Sequence, residues 1–211
     1  MSKLERSKLT LDDHLKQVLI GNLLGDAYMR RFSNKSNTRI IFRQGSKNKE
    51  YLLHLYEIYK QFVLSPPAIS QILDKSSGKT RNNISFATLS LPCFCAKFYD
   101  EFYISGKKVI PANIAEYLTP VSLQNWIIDD GGYTGSGLKL YTNAFNLEDL
   151  NLLVEAINKN FSIRVRIHKS SIKDQYTLYI SKKQLPLLID LVKEYMHPSM
   201  FAQNYAQYKY Q

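Results

Sequence analysis

Apolar residues recur at Leu11, Leu15, Val18, Leu19 and Leu23, the spacing of one helical face, and Thr10 followed by Asp12 and Asp13 supplies an N-terminal cap with acids in the first turn. The pattern predicts a helix over 11–24 that ends near Gly25. Residues 27–32 and 38–44, separated by the polar Ser33-Asn34-Lys35-Ser36-Asn37, predict a strand, a turn and a strand. A second amphipathic helix over 49–64 is stopped by Ser65-Pro66-Pro67. Residues 68–74 and 83–91 flank a turn-rich run and form a second hairpin, after which Pro92 opens a helix to about residue 103.

From Pro120 the same order begins again. Residues 121–130 predict a helix closed by Gly131-Gly132, 138–142 a strand, and 147–160 a helix. Residues 163–168 and 175–180 make a hairpin, and 184–195 the last helix before Pro198. Residues 204–211, with three tyrosines, read as a surface tail or a short helix. The repeated order, with a period near 104 residues and a Lys-Ser-Ser turn in each half, points to two α+β halves with αββαββα-like order. They span 1–104 and 120–211, with 105–119 as linker.

Composition narrows the partner. The chain has 211 residues, 45% of them apolar and 22% charged, with a net charge of +10, which disfavours acidic, disordered or membrane-spanning classes. No apolar run approaches the roughly 18 residues of a membrane helix. A strongly basic chain with 15 Tyr and 10 Phe among its charges takes nucleic acid as its first candidate partner. Twenty lysines against eight arginines, with frequent Ile, Asn and Tyr, match translation from an A+T-rich genome such as that of an organelle. The first fifteen residues carry Glu5, Asp12 and Asp13 and no apolar centre, unlike a cleavable leader. Cys93 and Cys95, with no second pair and no nearby histidine, read as reduced core residues, and the four histidines have no metal-ligand spacing.

Candidate chemistry sits at two helix ends. Leu19-Ile20-Gly21-Asn22-Leu23-Leu24-Gly25-Asp26 and Leu123-Gln124-Asn125-Trp126-Ile127-Ile128-Asp129-Asp130 both finish on an aspartate. An acid at a helix C-terminus faces the negative end of the macrodipole, which costs roughly 0.3–1 kcal/mol when exposed, and a divalent cation would reverse the sign. Gly21 and Gly25, four apart on one face, admit a close helix neighbour. Two carboxylates converging there would suit magnesium, which keeps several waters and takes few protein ligands. Such a site activates water and stabilises the leaving oxygen of a phosphodiester. Asp-Ala and Asp-Gly-Gly are also ordinary ways into a turn; the pairing of the two ends favours the catalytic reading.

The two stretches resemble the paired motifs of single-chain LAGLIDADG homing endonucleases, most closely the omega-type mitochondrial intron endonucleases. The likeness runs through Gly25-Asp26-Ala27-Tyr28, Val63-Leu64-Ser65-Pro66-Pro67, and Tyr117-Leu118-Thr119-Pro120-Val121-Ser122-Leu123 followed by Trp126 to Gly132. The resemblance implies two pseudo-symmetric halves with antiparallel sheets forming a saddle over DNA and motif helices at the interface. It implies that Asp26 and Asp130 hold the metals, magnesium with manganese able to substitute. Relatives place a lysine before the interdomain linker, at Lys107 or, by its spacing to Ile110-Pro111, Lys108. The symmetric position falls at Gln203. Polar residues that order active-site water would be Gln44 and Asn143. Asn125 and Asp129 stand where the family prefers small residues, which predicts looser or displaced helix packing and makes Asp129 an alternative ligand.

Residues 162–169 alternate polar and apolar, so Arg164, Arg166 and His168 share one face that could enter a major groove. Arginine offers bidentate bonds to guanine, making Arg39, Arg43, Arg164 and Arg166 the base-reading candidates, joined by Arg30, Lys79, Arg81, Asn82, Lys139 and Tyr141. The expectation is a monomeric, metal-dependent, site-specific double-strand DNA endonuclease with a long asymmetric target, encoded in a mitochondrial or, alternatively, chloroplast intron. The alternatives are a maturase acting on its own intron RNA, and a DNA-binding module without catalysis.

Overall fold

The computed structural model describes residues 2–73, 78, 80–170 and 172–196. The chain separates into two compact units, one comprising Met1–Leu11 with Asp26–Tyr99, the other Asp12–Gly25 with Asp100–Gln211.

In chain order the first unit holds α1 (Lys3–Ser7), β1 (Tyr28–Arg31), β2 (Thr38–Gly45), β3 (Ala68–Leu73) and β4 (Thr80–Ala87), while α3 (Lys49–Tyr59) follows α2 (Asp13–Leu24) of the second unit. The four strands form one antiparallel sheet in the order β1-β2-β4-β3. Period-2 alternation turns Met29, Ile40, Phe42, Ile84 and Phe86 to one face, where all are buried. Amphipathic α3 lays Tyr51, Leu52, Leu55 and Tyr59 into the same core. Phe42 stacks on Phe86 with centroids 4.7 Å apart and lies 4.6 Å from Tyr59. The helix expected over 92–103 is instead a 3-10 turn at Pro92–Phe94, a wider π turn at Cys95–Tyr99 and the short α4 (Asp100–Phe102). Cys95 turns its Sγ into the sheet edge, where it accepts from the Thr38 N–H at 3.3 Å.

The second unit contains α2 and α4, the hairpin of β5 (Tyr103–Ile104) and β6 (Lys107–Lys108), α5 (Ile114–Tyr117), α6 (Pro120–Asp130), β7 (Gly131–Tyr133), β8 (Gly137–Tyr141), α7 (Leu147–Phe161), β9 (Val165–Lys169), β10 (Tyr176–Ser181) and α8 (Leu185–Val192). Its sheet order, β7-β8-β10-β9, repeats that of the first unit. Leu138, Leu140, Leu178 and Ile180 bury one face beneath Leu150, Leu153 and Ile157 of α7. The linker is therefore built: Ser105 and Gly106, both at positive φ, turn the β5–β6 hairpin, and the buried Asp149 carboxylate accepts from the Ile110 and Asn146 N–H groups at 3.0 and 3.2 Å. Among the described residues no helix is long and apolar enough to cross a membrane.

Compactness does not follow the chain order expected from the repeat, since α2 groups with the second unit. Its cause is close packing on α6. A Cβ on Gly21 would lie 2.3 Å from the Ser122 carbonyl oxygen and 2.7 Å from Asn125 Cβ, and one on Gly25 would lie 2.4 Å from Asp129 Cβ. The seam is tight where the sequence predicted looseness, because the glycines of α2 sit opposite the larger residues of α6. Asn125 enters this buried seam satisfied within its own helix, donating to the Val121 carbonyl at 2.9 Å and to Gln124 Oε1 at 3.0 Å. At the other end of the pair, Thr119 Oγ1 donates to Gln17 Oε1 at 2.8 Å.

Candidate active site and nucleic-acid face

In the first unit the chain turns at Asp26, an exposed residue, before joining β1. Gln44, near the end of β2, faces inward and is 6% exposed; its Nε2 donates to Asp26 Oδ2 at 2.9 Å. Gln44 Oε1 accepts from Asn48 Nδ2 at 3.1 Å. The carboxylate is thereby held by a charge-assisted hydrogen bond on one oxygen, which fixes its rotamer.

In the second unit Asp130 is the last residue of α6 and half-buried, and Asp129 before it belongs to the helix seam. Asp129 Oδ2 lies against Gly25 and accepts from the fully buried Asn22 amide at 3.4 Å. This placement gives Asp129 a packing role in α2–α6 contact, distinct from Asp130. Lys108, on β6, donates from Nζ to the Gly25 carbonyl at 3.0 Å, whereas Lys107 is exposed. An ammonium thus sits on the C-terminal carbonyl of α2, one residue before Asp26 in the chain, and offsets the negative end of that helix.

The strand registers place Gln44 and Asn143 differently. Tyr28 pairs with Ile41 in one sheet and Gly132 with Lys139 in the other, each two residues beyond its motif aspartate. Three residues beyond Ile41 stands Gln44, and three beyond Lys139 stands Thr142, where the sequence reading set Asn143. Thr142 is 1% exposed and donates to the Tyr176 carbonyl at 2.9 Å. Asn143 lies exposed in the following turn.

The outward face of each sheet carries the basic residues. Arg30 stands directly opposite Arg39, and Arg43 and Arg81 share their face, with Ser85 and Asn83 between them. Asn82 follows Arg81 on β4 and so projects to the opposite face, across from Gln71. On the second sheet Arg166, His168, Lys139 and Tyr141 share one face as the alternation predicted, and Arg164 precedes β9 at its exposed end. Sequence reasoning missed Tyr179, which lies between Lys139 and Arg166, stacks on His168 with centroids 4.8 Å apart, and donates to the Ser136 carbonyl at 2.8 Å. The alternation of residues 176–181 was the available signal. Lys79 and Gln203 lie outside the described residues.

Residues 16–188 match the model of the LAGLIDADG DNA endonuclease family. The chain belongs to that family. It is 35% identical over 192 residues to the cytochrome b mRNA maturase bI2 of Debaryomyces hansenii, covering 90% of this chain and 73% of that protein. Its likeness to the maturase of the same name from Saccharomyces cerevisiae is 34% over 200 residues, which spans 47% of that protein. Among solved structures, the homing endonuclease I-WcaI bound to its DNA recognition sequence superposes with a TM-score of 0.86 at 28% identity, over 95% of this chain and 91% of that one. Of the motif helices of this LAGLIDADG protein, α6 lies wholly inside the matched span and α2 from Lys16 onward.

The Asp26 carboxylate, exposed and with its rotamer fixed by Gln44, is of the oxygen ligand class that magnesium and manganese take, while among the described residues no three acidic, His or Cys side chains group together.

Proposed function

We propose that the chain is a site-specific DNA endonuclease that cuts both strands of a long, asymmetric target and thereby promotes homing of its intron, with Asp26 and Asp130 each holding a magnesium ion for which manganese can substitute. The observation that carries this reading is the exposed Asp26 carboxylate held by the buried Gln44 amide. A purely DNA-binding protein would gain nothing by fixing a carboxylate that repels phosphate, whereas a cation-dependent hydrolase needs it.

When bound, the cation supplies Lewis acidity and a water of lowered pKa at the scissile phosphate. The protein's own groups do the remaining work. Gln44 sets the carboxylate geometry, and the Lys108 ammonium adds positive charge beside the motif where charge builds on the phosphate. The outward arginines Arg30, Arg39, Arg43, Arg81, Arg164 and Arg166 neutralise phosphates and read base edges, with Lys139, Tyr141, His168 and Tyr179. The two faces differ in composition, arginine-rich on one sheet and His/Tyr-bearing on the other, which favours unlike half-sites and a monomer acting alone.

Asp26→Asn and Asp130→Asn each abolish double-strand cleavage in magnesium while DNA binding in calcium stays within about threefold of wild type. A variant that still cuts both strands at the wild-type rate refutes the reading. A second function is supported by the names of the two curated relatives: the same basic faces assist splicing of the host intron RNA. In that case loss of the protein raises intron retention in the transcript, and Asp26→Asn restores splicing. The composition and the cytochrome b messages named for those relatives support a mitochondrial location.

A further inference from the structure

We propose that Asn48 is a positioning residue for the first carboxylate: its side chain dictates which way Gln44 presents its carboxamide to Asp26. The consequence for cleavage rests on the endonuclease reading; the orientation itself rests on geometry within the first unit.

Asn48 closes the 3-10 turn Ser46–Asn48 that leads directly into α3, with φ −98° and ψ 25°, and its side chain makes no capping bond to the helix. Its Nδ2 donates instead to Gln44 Oε1 at 3.1 Å, and Gln44 Nε2 donates to Asp26 Oδ2 at 2.9 Å. The chain of bonds has a fixed polarity. An ionised Asp26 only accepts, so Gln44 gives it the N–H; Gln44 Oε1 then points away and takes a donor, so Asn48 gives Nδ2. The last link leaves Asn48 Oδ1 buried with no hydrogen-bond partner, and Ser46 Oγ in the same turn is buried in the same state. An orphaned buried acceptor is a penalty that a residue with no task beyond the turn would avoid.

Asn48→Asp separates the two roles. Aspartate has the shape of asparagine and its charge suits the start of α3, so a structural role predicts unchanged or higher stability and unchanged activity. For positioning, an acceptor at residue 48 claims the Gln44 N–H, turns the amide round and sets Gln44 Oε1 against the Asp26 carboxylate.

The experiment compares the full wild-type chain with Asn48→Asp and Asn48→Ala. It measures thermal stability, the nicking rate of each strand of an end-labelled target duplex over a magnesium series, and the side-chain amide NMR resonances of Gln44 in metal-free protein. The expected result is a melting temperature at or above wild type for Asn48→Asp, one strand cut about tenfold or more slowly with the other unaffected, and a larger loss than in Asn48→Ala. The Gln44 amide resonances move in both variants. Wild-type nicking of both strands by Asn48→Asp, or Gln44 resonances that stay in place, overturns the proposal. If wild type itself cuts nothing, the endonuclease reading fails separately, and the Gln44 resonances still decide the orientation.

Discussion

Gly21→Ala tests the packing that ties α2 to α6. Helix propensity alone favours alanine over an interior glycine by about 1 kcal/mol. Against that, the new Cβ would stand 2.3 Å from the Ser122 carbonyl oxygen and 2.7 Å from Asn125 Cβ. Neither neighbour is the movable tip of a long side chain, since one is helical backbone and the other is fixed to it. Relief therefore requires α2 and α6 to separate by roughly 1 Å, and overpacking of this kind costs typically 1–3 kcal/mol. With the contacts at the severe end, the net loss is about 1–2 kcal/mol, a fall of roughly 2–8 °C in melting temperature for a chain of this size. The single tryptophan, Trp126, is buried in α6, so its fluorescence during urea unfolding reports on the affected unit. Gly45→Ala is the control: nothing lies within 4 Å of the added Cβ and φ is −61°, so it is neutral or gains about 0.4–1 kcal/mol. A Gly21→Ala protein as stable as Gly45→Ala would refute the close approach of the two helices.

The remaining expectations concern charge, capping and a thiol. Arg39→Ala removes one member of a directly opposed arginine pair, so it lowers the slope of log affinity against log salt by about 0.9 while raising stability without DNA by a few tenths of a kcal/mol; unchanged salt dependence would remove Arg39 from the phosphate contacts. Asp149→Ala strands the Ile110 and Asn146 N–H groups and should cost about 2–4 kcal/mol in urea unfolding, whereas a loss under 1 kcal/mol would show that water replaces the carboxylate. Burial pushes the Cys93 thiol up to about 11 from its ordinary value of 9.0, so native protein holds that proton more tightly than unfolded chain. Its contribution to stability is complete below pH 9 and is lost as pH rises through 11, and alkylation of Cys93 at pH 8, followed by mass spectrometry, is slow until denaturant is added.

What the sequence disclosed was set by periodicity. The amphipathic helices over 49–59 and 147–161, with their core faces, were legible because burial repeats at 3.6 residues. The outward grouping of Arg166 and His168 was legible because strand alternation has period 2. Elements shorter than one period escaped: β7 is three residues opening on two glycines, and the β5–β6 hairpin is two residues a side, signalled only by Ser105-Gly106. At the candidate site, Asp26, Lys108 and Gln44 were named from the motif and its flanks. Asn48 was not, since nothing in an asparagine near a helix start signals its partner, and only the hydrogen bond to Gln44 shows it.

The two halves have diverged in a way that bears on how they share the work. Both put an aspartate at the end of a motif helix and the same strand order behind it, yet the glycines that permit close helix contact occur only on α2, at Gly21 and Gly25, with Asn125 and Asp129 at the matching places on α6. A seam between two identical faces could be built from small residues on both sides. Here one helix supplies the depth and the other fills it, so a change on either side demands a matching change on the other. The same asymmetry reaches the carboxylates: Gln44 offers an amide to Asp26, while Thr142, in the corresponding register, spends its hydroxyl on the Tyr176 carbonyl. Once two duplicated halves are joined in one chain, nothing holds their sequences equal, and each half is free to change on its own.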